Sequence, residues 1–88
     1  MPLFYFHVCD GAGFVEDEEG RDLPDAGAAR AEAVRGARGL MADDLQRGTL
    51  ALSSFVEVED EEHRLLFTIS FKDMVEIDLT PPAKAPRG

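Results

Sequence analysis

One stretch of this 88-residue chain has the period of a helix, and it stands between two stretches with the period of a strand. The helical stretch is "LPDAGAARAEAVRGARGLMADDLQRG", residues 23–48. Within it Ala33, Val34, Ala37, Leu40, Met41 and Leu45 recur at three- and four-residue spacings, the signature of one apolar stripe. Pro24 ends the extended segment before it, and Asp25 carries the carboxylate of an N-cap. Gly48 supplies the left-handed residue at which a helix stops. Gly36 and Gly39 lie inside the pattern, each costing about 1 kcal/mol relative to alanine. Either they thin the helix for a close approach, or tertiary packing tolerates them.

The flanking stretches alternate. In "LFYFHVCD", Phe4, Phe6 and Val8 fall on one face and Tyr5, His7 and Cys9 on the other. A glycine-bearing turn, "DGAG", then leads to a short strand around Phe14 to Asp17, which makes a β-hairpin. After the helix, "SFVEVED" sets Val56 and Val58 against Glu57 and Glu59. "RLLFTISFK" sets Leu65, Phe67, Ile69 and Phe71 against Leu66, Thr68 and Ser70, and the polar "DEEH" between the two segments predicts a second hairpin. "MVEIDL" repeats a weaker alternation, as a short extra strand or an extended segment on an edge.

The order strand, strand, helix, strand, strand predicts an α+β fold, ββαββ, with an antiparallel sheet and the helix on one face. Residues 1–79 form one domain, and the proline-rich residues 80–88 read as a disordered tail. A lone helix covers one side of a sheet. The other side carries Tyr5, His7, Cys9, Leu66 and Leu3, which calls for a partner, most simply a second copy in a homodimer.

Charge narrows the partners. Eighteen acidic residues against nine basic ones give a net charge of −9, which repels nucleic-acid phosphates and anionic lipid but suits a basic protein. No apolar run approaches the roughly 20 residues of a membrane span, and the N-terminus lacks a secretory pattern, so the cytoplasm is the expected location. The single cysteine excludes a disulfide within the chain.

Reactive residues are few. His7 and Cys9 share a strand face, but zinc needs three or four ligands and the chain has no C-x-x-C, H-x-x-x-H or H-E-x-x-H. Residues two apart on a strand stand roughly 6.5–7 Å apart, too far for the base–nucleophile hydrogen bond a catalytic thiol requires. The acidic run "EDEEGRDLPD" has its glycine too early for a calcium-binding loop, and "DGAG" leads to no helix N-terminus that could receive a phosphate. No metal or cofactor is expected, and the chain reads as non-enzymatic. The least favoured reading is a small hydrolase using His7 with Asp10 or Asp17. In the structural reading, His7 bonds a backbone carbonyl or a carboxylate such as Asp10 and holds the hairpin in register.

"MPLFYFHVCDG", "DEEGRDLPDAGAARAEAVRGAR" and "VEVEDEEHRLLFTISFKD", in that order, resemble a family of short bacterial proteins of unknown function. The resemblance covers roughly residues 1–75. Its motif positions fall on Phe6, His7, Asp10, Gly11, Asp17, Glu19, Gly20, Leu23, Pro24 and Asp25. His7, Asp10, Asp17, Glu19, Pro24 and Asp25 are accordingly the candidate site residues, while Cys9 matches no motif position. The resemblance carries no activity, cofactor or partner; the chain itself reads as a small acidic binding or regulatory module. A looser similarity, of fold only, is to HicB-type antitoxins, which would imply an inhibitor of a small basic protein. This chain departs from them in placing two strands after the helix.

Overall fold

The structure, a computed structural model, describes residues 1–11 and 13–84. The expected architecture forms: two hairpins flank one helix, and an antiparallel sheet carries that helix on one face. Strand β1 (Leu3–Asp10) runs through the middle of the sheet. On one side it pairs with β4 (Phe55–Glu59), which pairs in turn with β5 (Leu65–Ser70). On its other side lie two short strands end to end, β2 (Gly13–Val15) against Val8–Asp10 and β3 (Arg21–Asp22) against Leu3 and Phe4. Gly13, at φ +129°, gives the first hairpin the backbone conformation that its tight turn needs.

Helix α1 (Ala26–Gln46) starts where Asp25 caps it, the carboxylate accepting the Ala28 N–H at 2.8 Å. It stops before Gly48, whose φ is +83°. The buried line is narrower than the sequence stripe. Ala29, Ala33, Ala37 and Met41, each four residues on, face Phe4, Val56, Val58 and Ile69, while Leu40 and Leu45 are exposed. Small side chains let the helix settle against the sheet, so the fully buried line is one residue wide, Val34 packs partly beside it, and Leu40 and Leu45 stay in solvent. A Cβ placed on Gly36 or Gly39 would meet nothing within 4 Å, so these glycines serve no close approach.

Three further expectations are adjusted. The second strand ends at Val15 rather than Asp17, because Asp17 leaves the ladder for a different role. Phe71 begins a short 3-10 helix (Phe71–Met74) instead of continuing β5, and it buries Phe71 and Met74 under α1, where Arg38 Nε donates to the Met74 carbonyl at 2.8 Å. "MVEIDL" forms no strand beyond that turn; Val75 packs on the core. Of the expected tail, residues 80–84 have no regular structure and 85–88 lie outside the described residues.

Candidate functional site

The centre of β1's outer edge lacks a neighbouring strand, since β2 pairs with residues 8–10 and β3 with residues 3–4. Asp17 fills the gap. Its Oδ2 accepts the Phe6 N–H at 3.1 Å, and its Oδ1 accepts the Glu19 and Gly20 N–H groups at 3.2 and 3.1 Å. Burial raises the Asp17 carboxyl, but the N–H groups of Gly20, Phe6 and Glu19, with the nearby His7, outweigh it and hold the group below its ordinary value.

Gly20 completes this loop. Its φ is +73°, and a Cβ there would stand 3.0 Å from the Phe4 carbonyl oxygen and the Leu3 side chain. Only glycine meets both demands. The chain then re-enters the edge as β3, and Leu23 donates its N–H to the Pro2 carbonyl at 3.0 Å. The D-x-E-G-x-x-L-P-D pattern is therefore a folding device. Asp17 stands in for a strand, Gly20 permits contact with β1, Leu23 ties the N-terminus, and Asp25 caps the helix.

His7 is held from two sides and is only 3% exposed although no helix covers it. The Asp17 N–H donates to Nδ1 at 2.9 Å, so Nδ1 carries no proton and Nε2 does. Nε2 in turn donates to Glu59 Oε1 at 2.7 Å, across to β4. The histidine thus joins the edge loop to the neighbouring strand. It bonds a carboxylate, as expected, but that carboxylate is Glu59 rather than Asp10, and the backbone group it binds is an N–H rather than a carbonyl. The hydrogen bond from His7 holds Glu59 below the usual carboxylate range, burial opposing it and His63 assisting.

Rings extend the cluster into a row. His63 stacks on Tyr5 with centroids 4.3 Å apart, Tyr5 lies parallel to His7 at 6.4 Å, and Phe14 tilts against His7 at 5.5 Å. The adjacency of β1 and β4 brings His63 here from the second hairpin turn, with Nδ1 3.2 Å from Glu59 Oε1. Of the candidates read from sequence, His7, Asp17 and Glu19 meet in one network. Asp10 sits at the end of the hairpin opposite Gly13, and Pro24 and Asp25 belong to the helix start. Alternation placed Tyr5 on the His7 face without marking it as a site residue, and Glu59 and His63 were missed, because the polar phase of β4 and the turn after it gave no register.

Chemically the cluster is closed. Both ring nitrogens of His7 are occupied, and among the described residues no group of three or more His, Cys, Asp and Glu side chains is placed to hold a metal. Cys9 is half-buried on the same face, opposite Phe14 and Phe55.

A family profile described as a domain of unknown function, DUF6894, matches residues 3–72. The chain belongs to the DUF6894 family. The matched span runs from the start of β1 into the 3-10 turn, so the DUF6894 domain comprises the whole sheet, the helix and the Asp17 loop. No curated protein and no solved structure shows a significant match to this DUF6894 chain. No helix among the described residues is long and apolar enough to cross a membrane.

Proposed function

We propose that this DUF6894 protein is a non-catalytic binding module that works through the sheet face opposite α1, and that its partner presents a cationic surface. The observation that supports this is the composition of that face. Phe14 is 55% exposed beside half-buried Tyr5, Cys9 and Phe55, and Glu57 and Glu59 lie among them. Acidic loops at residues 16–19 and 60–62 flank the face, and the cation at its corner, Arg64, is already engaged by Asp60 and Glu62. Aromatic surface with unbalanced carboxylates suits an apolar and basic partner. Two copies of this face would bring like charges together, which weighs against self-pairing there.

A small-molecule activity has less support. The groove between α1 and β1, floored by Phe6, Val8 and Val56, holds about 280 Å³, at the lower limit for ligand pockets. Both ring nitrogens of His7 and both oxygens of Asp17 are already taken by structural hydrogen bonds. The narrower reading, an antitoxin-type inhibitor of a small basic protein, rests on the same acidic face and needs a specific partner.

The test is titration with a synthetic peptide of alternating lysine and leucine, followed by amide chemical shifts. Shifts should concentrate on β1, β4 and β5, and Glu57→Lys should weaken binding about tenfold or more. Asp43→Lys, on the exposed side of α1, changes net charge equally and should leave binding within about twofold. Equal weakening by both substitutions would reduce the effect to non-specific charge and overturn the reading.

A further inference from the structure

We infer that the flank of α1 carrying Arg30, Val34 and Arg38 is a docking surface for an acidic segment of another protein. This inference concerns the helix side of the molecule and is independent of the proposed role of the sheet face. The chain has 18 acidic residues against nine basic ones, so a basic side chain here readily finds a carboxylate. Arg21 and Arg35 pair with Glu32, Arg47 with Asp44, and Arg64 with Asp60 and Glu62. Among the described arginines, Arg30 and Arg38 alone have no carboxylate partner, and both lie on one flank of α1.

The contacts that these two do make are uncharged. The Arg30 guanidinium sits over the Phe67 ring, 5.8 Å from its centroid, and Arg38 Nε donates to the Met74 carbonyl at 2.8 Å. Each head group is tethered, while its terminal N–H groups remain unengaged among the described residues. A guanidinium in that state is prepared to grip a carboxylate with two parallel hydrogen bonds. Asp73, the neighbour of Met74, makes no ion pair with Arg38. The helical period puts Glu32 and Asp43 on the far side of α1, so the helix itself supplies no competing carboxylate between the two arginines.

The ground between them is shallow and apolar. Gly27, Ala31 and Val34 line an open trough of about 510 Å³, with the arginines around it. Arg30 and Arg38 stand eight residues apart, about 12 Å along the helix, with Val34 midway. In an extended chain, side chains on one face recur about every 6.8 Å, so carboxylates four residues apart span about 13 Å. The side chain midway between those carboxylates then meets Val34. The occupant that fits is an extended segment reading acidic, apolar, acidic on alternate residues. Nucleic acid fits less well, because the net charge of −9 repels a long polyanion far more than a segment with two carboxylates.

The experiment follows amide chemical shifts of the full chain during titration with a capped peptide. The peptide carries two glutamates four residues apart, leucine midway between them and serine elsewhere. Shifts should concentrate between Gly27 and Arg38. Arg30→Gln with Arg38→Gln should weaken binding about tenfold or more. Arg47→Gln with Arg64→Gln changes net charge equally, away from this flank, and should leave binding within about twofold. Ala31→Glu, at an exposed position, removes no arginine but puts a carboxylate in the trough, and it should weaken binding as strongly as the first pair. Circular dichroism checks that each variant keeps its fold. Equal weakening by the two arginine pairs, shifts centred elsewhere, or undiminished binding in Ala31→Glu overturns the inference. Single-stranded DNA that shifts the same amides at lower concentration than the peptide overturns the assignment to a protein partner.

Discussion

Replacing Asp17 by asparagine separates the two tasks of its carboxylate. Oδ2 stands in for a missing strand at Phe6, and Oδ1 shapes the loop through Glu19 and Gly20. Asparagine keeps one acceptor oxygen. If that oxygen serves the loop, an NH₂ group faces the Phe6 N–H, donor against donor. Hydrogen bonds to a charged group contribute about 1.5–3 kcal/mol each when shielded. In Asp17→Asn the Gly20 bond survives without its charge and the site is partly solvated, so the lost Phe6 bond and the weakened loop bonds together cost about 2 kcal/mol after solvent screening. In a domain of this size that lowers Tm by about 10 °C.

Hydrogen exchange supplies the site-specific readout. In Asp17→Asn the Phe6 amide should lose protection while Gly20 keeps it; in Asp17→Ala both should exchange faster. The dependence on pH follows from the lowered carboxyl. A folded pKa below the unfolded value of about 3.9 adds stability that is present above that value and lost as pH falls through the folded pKa. The stability gap between wild type and Asp17→Asn should therefore be full at neutral pH and close below about pH 4. Urea titrations at several pH values measure it. A gap under about 0.5 kcal/mol at neutral pH, or a Phe6 amide as well protected in Asp17→Ala as in the wild type, would refute the strand-substitute role.

Two other perturbations test the frame around it. His7→Gln, which changes the shape of a group 3% exposed and bonded on both nitrogens, should cost about 2 kcal/mol in urea denaturation; unchanged stability would remove its structural role. Gly39→Ala should stabilise the chain by up to about 1 kcal/mol because open space surrounds the new methyl, whereas Gly20→Ala, at positive φ and against β1, should destabilise it by more than that; matching thermal melts would contradict both assignments.

Local chemistry made much of this protein legible before any tertiary structure. The alternation of Phe4, Phe6 and Val8, the Asp25 cap, the Gly48 stop and the valines of β4 depend on neighbours within a few residues, and each stands as read. The ββαββ order and the lone helix on one face follow from those local signals. What the chain could not announce was register and adjacency. That β1 lies beside β4 puts Glu59 and His63 against His7 and Tyr5, fifty residues away in sequence, and no spacing rule encodes that meeting. Long-range pairing also turned Asp17 from one acidic residue in a charged run into the acceptor that completes a strand edge. It likewise narrowed the helix contact to a line of alanines and Met41, because the distance between helix and sheet, not hydrophobicity alone, decides which side chains are buried.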